Sequence, residues 1–211
     1  MATVAVIAKQ PLPGRVKTRL IGACSPTEAA ELASCAVQDT LAALSSFPCK
    51  NKVILLDGDP YGWLPAGWTV IAQSSGDLAE RLSAGFDALP VGPAVLVGMD
   101  TPQLDAGALD FDPVAYDACL GLAEDGGYWA IGFADPRRGR ECIAGVPMST
   151  GYTGREQYRR LTAAGLSVQL LRTLTDVDTA DSAEVVARVA PETSFACRWR
   201  EIRHASAQAV R

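Results

Sequence analysis

The chain has 211 residues, of which 48% are hydrophobic and 20% charged, with a net charge of −5 and a pI near 4.9. That length and apolar content suit one α/β domain with a proper core. The acidic balance argues against a nucleic-acid polymer as partner, which needs a basic face, and no stretch has the apolar length of a membrane span.

In chain order, residues 2–8 form a continuous apolar run of the kind that fills a parallel strand buried on both faces. The run is too short for a secretory signal, and Pro11 and Pro13 follow it closely. Residues 9–20, KQPLPGRVKTRL, carry Lys9, Arg15, Lys17 and Arg19 and no acidic residue, while Pro11, Pro13 and Gly14 forbid a regular helix through their first half. Ser25, Pro26 and Glu28 make a capping box with proline at the first helical position. The apolar stripe from Ala29 to Leu44 then predicts a helix that Pro48 stops. Strands are expected at 52–57, 69–72, 93–100, 118–124, 128–133 and 167–172, and helices at 77–89, 154–164 and 180–190, with a short turn at 105–112. A glycine-, proline- and aromatic-rich loop fills 58–67. Strands alternating with helices imply a mostly parallel sheet in a three-layer sandwich. Residues 1–190 read as one domain and 191–211 as a polar, basic tail, wrapped or mobile.

The six cysteines, Cys24, Cys35, Cys49, Cys119, Cys142 and Cys197, are widely and irregularly spaced, with no CxxC pair. Reduced thiols in a cytoplasmic protein are the expectation, with Cys35 and Cys119 in the core. The single histidine, His204, and the lack of a GxSxG elbow leave no nucleophile triad and no histidine-rich metal site. What remains is carboxylates, bases and glycines, the equipment of metal-assisted chemistry on phosphates.

Ligands of open α/β sheets bind beyond the carboxyl ends of the strands, and five segments fall there. The basic loop 9–20 is one; by itself it is equally well a solvated surface loop or a phosphate clamp, and it lacks the Walker pattern. Asp100, at the end of VGMD, either holds Mg²⁺ against phosphates or caps the Thr101-Pro102 turn. Asp125-Gly126-Gly127 is a hairpin turn, with Glu124 and Asp125 adding acid and Tyr128 and Trp129 offering rings. In DVDT, Asp178 is either a second metal ligand or, with Thr179, a helix cap. SSGDLAERL places Gly76 and Asp77 at a helix start and Arg81 one turn in, where Arg81 could simply pair with Asp77.

Taken together, AKQPLPGRVKTRL, SSGDLAERL, VGMDTPQL, AEDGGYWAIG, MST and LTDVDT resemble, in order and over roughly residues 3–190, bacterial glycosyltransferases of the nucleotide-diphospho-sugar transferase superfamily. That family is similar to the 2-phospholactate guanylyltransferases and, more remotely, to the molybdenum-cofactor guanylyltransferases. The resemblance implies a Rossmann-like GT-A fold using a nucleotide and a divalent cation, Mg²⁺ or Mn²⁺. It puts Lys9, Gly14, Arg15, Lys17 and Arg19 at the nucleotide phosphates, joined by Gly76, Asp77 and Arg81. Lys17 and Asp100 would be catalytic, and Asp100 and Asp178 would hold the metal. Asp125, Gly126, Gly127, Tyr128, Ser149 and Thr150 would line the acceptor side. Met148 stands where the family more often has tryptophan. Three functions follow in order: a metal-dependent glycosyltransferase using a nucleotide-sugar; a guanylyltransferase-like enzyme joining an NMP to a phosphorylated acceptor with pyrophosphate release; and a nucleotide-binding protein without turnover. The partners are then a nucleotide or nucleotide-sugar and a small-molecule acceptor, with a homodimer left open.

Overall fold

The computed structural model describes residues 2–60 and 64–209. Residues 61–63 of the aromatic-rich loop and the last two of the expected tail lie outside the described residues.

Seven strands form one sheet: β1 (Thr3–Lys9), β2 (Asn51–Asp57), β3 (Thr69–Ala72), β4 (Ala94–Gly98), β5 (Ala118–Ala123), β6 (Tyr128–Phe133) and β7 (Val168–Leu174). Their order is β3-β2-β1-β4-β6-β5-β7. All pairings are parallel except those of β6, which runs antiparallel to both β4 and β5. The helices are α1 (Pro26–Ser45), α2 (Leu78–Ala88), α3 (Gly139–Ile143), α4 (Thr153–Ala163), α5 (Ala180–Val189) and α6 (Ser194–Ala209).

Strand alternation sorts the core into two faces. Val4 and Val6 of β1, with Ile54, Leu56, Val95 and Val97, pack beneath Ala33, Val37, Leu41 and Leu44 of α1. Ala5, Leu55, Leu96 and Ile131 point the other way, onto Leu82 and Phe86 of α2, Ile143 of α3 and Leu161 of α4. A continuous apolar run in β1 is therefore required, since both of its faces are covered. The expected capping box forms, Ser25 with Glu28 starting α1, and a second one, Asp77 with Glu80, starts α2.

The segment after residue 190 folds as α6. Phe195, Trp199 and Ile202 are buried against the outer stripe of α1 (Ala29, Leu32, Ala36) and against Val186 of α5. The Asp39 carboxylate of α1 accepts from the backbone N–H groups of Ser194 and Phe195, at 3.0 and 2.8 Å, and so supplies the cap that starts the helix. Three such side chains stabilise the packing by about 1.5–3 kcal/mol each.

All this sets up one edge of the sheet. The carboxyl ends of β1, β4, β5 and β7 and the amino end of β6 meet there, because β6 is reversed. The order reverses between β1 and its neighbours β2 and β4, the switch point where open sheets leave a crevice.

Candidate active site

A cavity of about 600 Å³ occupies that crevice. Its volume falls in the range of small-molecule sites.

The basic loop is pinned rather than free. Two of its apolar residues, Val16 and Leu20, are buried in different cores, and the Arg15 N–H donates to the Leu12 carbonyl across a turn at Gly14. Between these anchors Lys17 adopts a left-handed backbone, φ 48°, which costs a non-glycine residue roughly 1 kcal/mol or more. Its side chain is only 6% exposed, and its ammonium lies 2.8 Å from Asp100 Oδ1 and 3.2 Å from Asp178 Oδ1. Burial alone would depress the ammonium's pKa; Asp100 and Asp178 outweigh it and hold the pKa above the ordinary value. Lys17, expected at the phosphates, is thus the inner counter-ion of the two aspartates. Arg19 joins them from the solvent side, its Nη1 3.0 Å from Asp178 Oδ2, and Arg19 and Lys9 line the cavity. Gly14 and Arg15 are exposed and are not among its lining residues.

The alternatives for the two aspartates resolve in the same place. Thr179, not Asp178, caps α5 through Ser182, which frees the Asp178 carboxylate for Lys17 and Arg19. The Asp100 carboxylate goes to Lys17, while its carbonyl accepts from Val177 N–H at 3.0 Å and stitches the β4 and β7 loops together.

On the far side of β1, Gly76 and Asp77 lie outside the lining, and the Asp77 carboxylate is committed to the Glu80 N–H. The alternative Asp77–Arg81 side-chain pair is not made. Arg81 lines the cavity and donates instead to Gln73 Oε1 at 3.0 Å, and Gln73 Nε2 is tied to the Ala8 and Leu55 carbonyls.

The β5–β6 turn forms as expected, with Gly126 at φ 90°. A Cβ on Gly126 would lie 2.1 Å from the Gly151 carbonyl, so the glycine is what lets the turn dock against residues 149–154. Gly126 itself does not line the cavity; Asp125, Gly127, Tyr128, Ser149 and Thr150 do. Of the two rings proposed for stacking, Trp129 touches the cavity but is 2% exposed and packs in the core, with Nε1 donating to the Arg172 carbonyl. Tyr128 lines the cavity, but its hydroxyl turns inward to Gln157 and Met148, and burial raises its pKa. Glu124 accepts from Thr175 and lies outside the lining.

Two polar side chains emerge only from the structure. Among the described residues Asp176 Oδ1 is buried without a hydrogen-bond partner. Burial, then Asp125, Asp100 and Asp178, push this carboxyl up to about 7. Thr101 is 1% exposed, lines the cavity and has an Oγ1 with no hydrogen-bond partner among the described residues. Both lie within motifs visible in the sequence, DVDT and MDTP, but nothing in those letters distinguishes them from turn residues.

For a divalent cation the donor chemistry fits. Asp100 and Asp178 are hard oxygen donors about a third exposed on the cavity side. Among the described residues no three Asp, Glu, His or Cys side chains form a ready cage. An ion here would take two carboxylates and complete its shell with water and phosphate oxygens, the habit of Mg²⁺. All six cysteines are free, and no helix among the described residues is long and apolar enough to cross a membrane.

The fold has solved relatives. A candidate nucleotide-diphospho-sugar transferase from Desulfovibrio desulfuricans G20 is 29% identical, over 97% of this chain and 98% of its own, with a TM-score of 0.83. The 2-C-methyl-D-erythritol 4-phosphate cytidylyltransferase of Thermus thermophilus matches at 14% identity over 90% and 100%, TM-score 0.54. A Mycobacterium tuberculosis H37Rv protein solved with manganese matches at 17% over 89% and 99%, TM-score 0.51. The last two show the fold alone; the first, 29% identical, has a nucleotide-diphospho-sugar transferase-like fold, and this chain shares it, with a seven-stranded, mostly parallel sheet. No curated protein matches the sequence. Two of these relatives are described as transferases, one of the nucleotide-diphospho-sugar kind and one a cytidylyltransferase, and that likeness supports a transferase. Residues 32–150, more than half of the chain, match the family model described as an uncharacterized protein conserved in bacteria, DUF2064, and the chain belongs to that family.

Proposed function

We propose that this protein transfers a glycosyl group from a nucleoside-diphosphate sugar to a small acceptor, with a divalent cation held by Asp100 and Asp178. The observation that carries the reading is the convergence, at the switch-point cavity, of two aspartates from different loops with cations from the β1 loop. The full-length likeness to a candidate nucleotide-diphospho-sugar transferase supports it, as does the manganese bound by a fold relative.

In this reading Lys9 and Arg19 meet the diphosphate, Lys as a point charge and Arg as a fork. Lys17 holds the two carboxylates in register from behind. The cation, when bound, neutralises charge on the leaving nucleoside diphosphate. The aspartates and the buried Lys17 supply fixed charges that need no reorganisation as the bond breaks.

A second reading is nucleotidyl transfer, with attack on the α-phosphate of an NTP and loss of pyrophosphate, on the pattern of 2-phospholactate guanylyltransferase. The three cations facing the cavity, Lys9, Arg19 and Arg81, favour it, being enough for a triphosphate. One experiment separates the two. The protein is incubated with Mg²⁺ or Mn²⁺ and panels of nucleotide-sugars and NTPs, and the released product is measured. Nucleoside diphosphate from a sugar donor is the expected result. Pyrophosphate from an NTP selects the second reading, and binding of no nucleotide by thermal shift refutes both.

A further inference from the structure

The cations that line the cavity, Lys9, Arg19 and Arg81, are held in different ways. Lys9 lies 3.6 Å from the Asp57 carboxylate, and Arg19 lies 3.0 Å from that of Asp178. Arg81 makes no ion pair among the described residues. Its side-chain partner is a neutral amide: Arg81 Nη1 donates to Gln73 Oε1 at 3.0 Å.

The amide is itself fixed. Gln73 follows β3 directly, and its backbone N–H extends the β2–β3 ladder by donating to the Leu56 carbonyl at 2.9 Å. Its Nε2 donates to the Ala8 carbonyl at 2.7 Å and to the Leu55 carbonyl at 2.9 Å. An amide nitrogen carries two hydrogens, so both are used. A flipped amide would set its oxygen against two carbonyl oxygens. Oε1 is therefore held towards α2, where Arg81 sits in the first turn. Arg81 Nε reaches back to the Asp77 carbonyl at 3.4 Å. The second Nη1 hydrogen and both on Nη2 have no partner among the described residues.

From this arrangement we infer that Gln73 is a positioning residue: it holds the Arg81 guanidinium, its charge uncompensated, ready to grip the phosphates of the nucleotide substrate. The inference rests on the transferase reading above. A carboxylate in place of the amide would restrain the arginine but also cancel its charge. The amide restrains it and leaves the charge to the ligand, so the cost of ordering a long side chain is met on folding and not on binding. The bond to Ala8 also ties Arg81 to the strand end that carries Lys9, which meets the diphosphate in that reading.

The test is a double-mutant cycle on nucleotide binding. Nucleoside di- and triphosphates are screened by thermal shift with Mg²⁺, and the affinity of the one that binds is measured by calorimetry well below each variant's Tm. Arg81→Met should weaken binding at least about tenfold, the loss of a charge-assisted fork, and should make binding less sensitive to salt. Gln73→Met should weaken it at least about threefold in the wild type, but by less than about 1.5-fold in Arg81→Met, because the residue acts through Arg81. A merely structural role for Gln73 would give the same loss in both backgrounds. That result, or no loss in either single variant, overturns the inference and leaves the transferase reading in place; an unchanged salt dependence in Arg81→Met overturns the phosphate contact. A second measurement needs no Gln73 variant: in the free wild type, the Arg81 Nε–H should have an NMR order parameter near that of rigid backbone, about 0.85, and a value below about 0.6 overturns the pre-positioning. Failure of every nucleotide to bind overturns the transferase reading, and this inference with it.

Discussion

The cations and the carboxylates at the cavity teach different things about charge. The cationic loop is conspicuous: four basic residues within eleven positions of an acidic chain. Yet Arg15 is spent on the exposed shoulder, and Lys17 is turned inward to hold two aspartates. The carboxylates Asp100, Asp125, Asp176 and Asp178 come from three separate loops, and Asp176 carries a buried oxygen with no hydrogen-bond partner among the described residues. A charge run in sequence shows where a loop is cationic; it does not show which of its charges faces a ligand.

The comparison breaks most severely at Asp100. Asp100→Asn removes one of the carboxylates assigned to the cation, and it should lower transfer by about 10²–10³-fold, with the circular dichroism spectrum unchanged. Retained activity would show that Asp100 only restrains Lys17.

Next in size is the turn that carries Asp125. Gly126→Ala drives a Cβ into the Gly151 carbonyl at a left-handed backbone position. It should cost about 2–3 kcal/mol, read as a fall in Tm of roughly 5–10 °C. An unchanged Tm would mean that the 149–154 loop moves freely away.

Asp176 gives a pH signature. Its folded-state pKa, about 7, lies above the ordinary 3.8. Its contribution to stability is therefore fully present below pH 4 and is lost as pH rises through 7. Asp176→Asn lacks that loss. In chelator, the variant and wild type should melt together near pH 4. At pH 8 the variant should be more stable by about 1–2 kcal/mol, the side chain's partial exposure having been allowed for. A difference independent of pH would place the strain elsewhere.

The smallest contrast lies within the basic loop. Arg19→Ala should raise the KM for the nucleotide substrate about tenfold, the loss of one charge-assisted contact. Arg15→Ala should change it by less than about twofold, as expected of a solvated charge. Equal effects would mean that the loop acts only through its total charge.

Much of the fold was legible, because strands buried on both faces must be continuously apolar and helices announce themselves by caps. Pro26 and the Ser25–Glu28 box mark the start of α1 to the residue. The C-terminal helix was not, because its average composition is polar and basic. The signal was its spacing: Phe195, Trp199 and Ile202 fall on one helical face. The site was legible as motifs, not as partnerships. Lys17 and Asp178 are 161 residues apart, and no local pattern joins them. Trp129 was misread for a related reason, since alternation in a strand puts one ring of a Tyr-Trp pair in the core, and sequence alone does not say which.

The central claim, that Asp100 and Asp178 hold a divalent cation against nucleotide phosphates, has a direct measurement. Mn²⁺ binding is followed by electron paramagnetic resonance, with and without the nucleoside diphosphate that binds, for wild type and for Asp178→Asn. The account predicts that nucleotide tightens Mn²⁺ binding to the wild type by at least about tenfold and that Asp178→Asn abolishes the gain. Equal Mn²⁺ affinity in both proteins, with nucleotide bound, would contradict it.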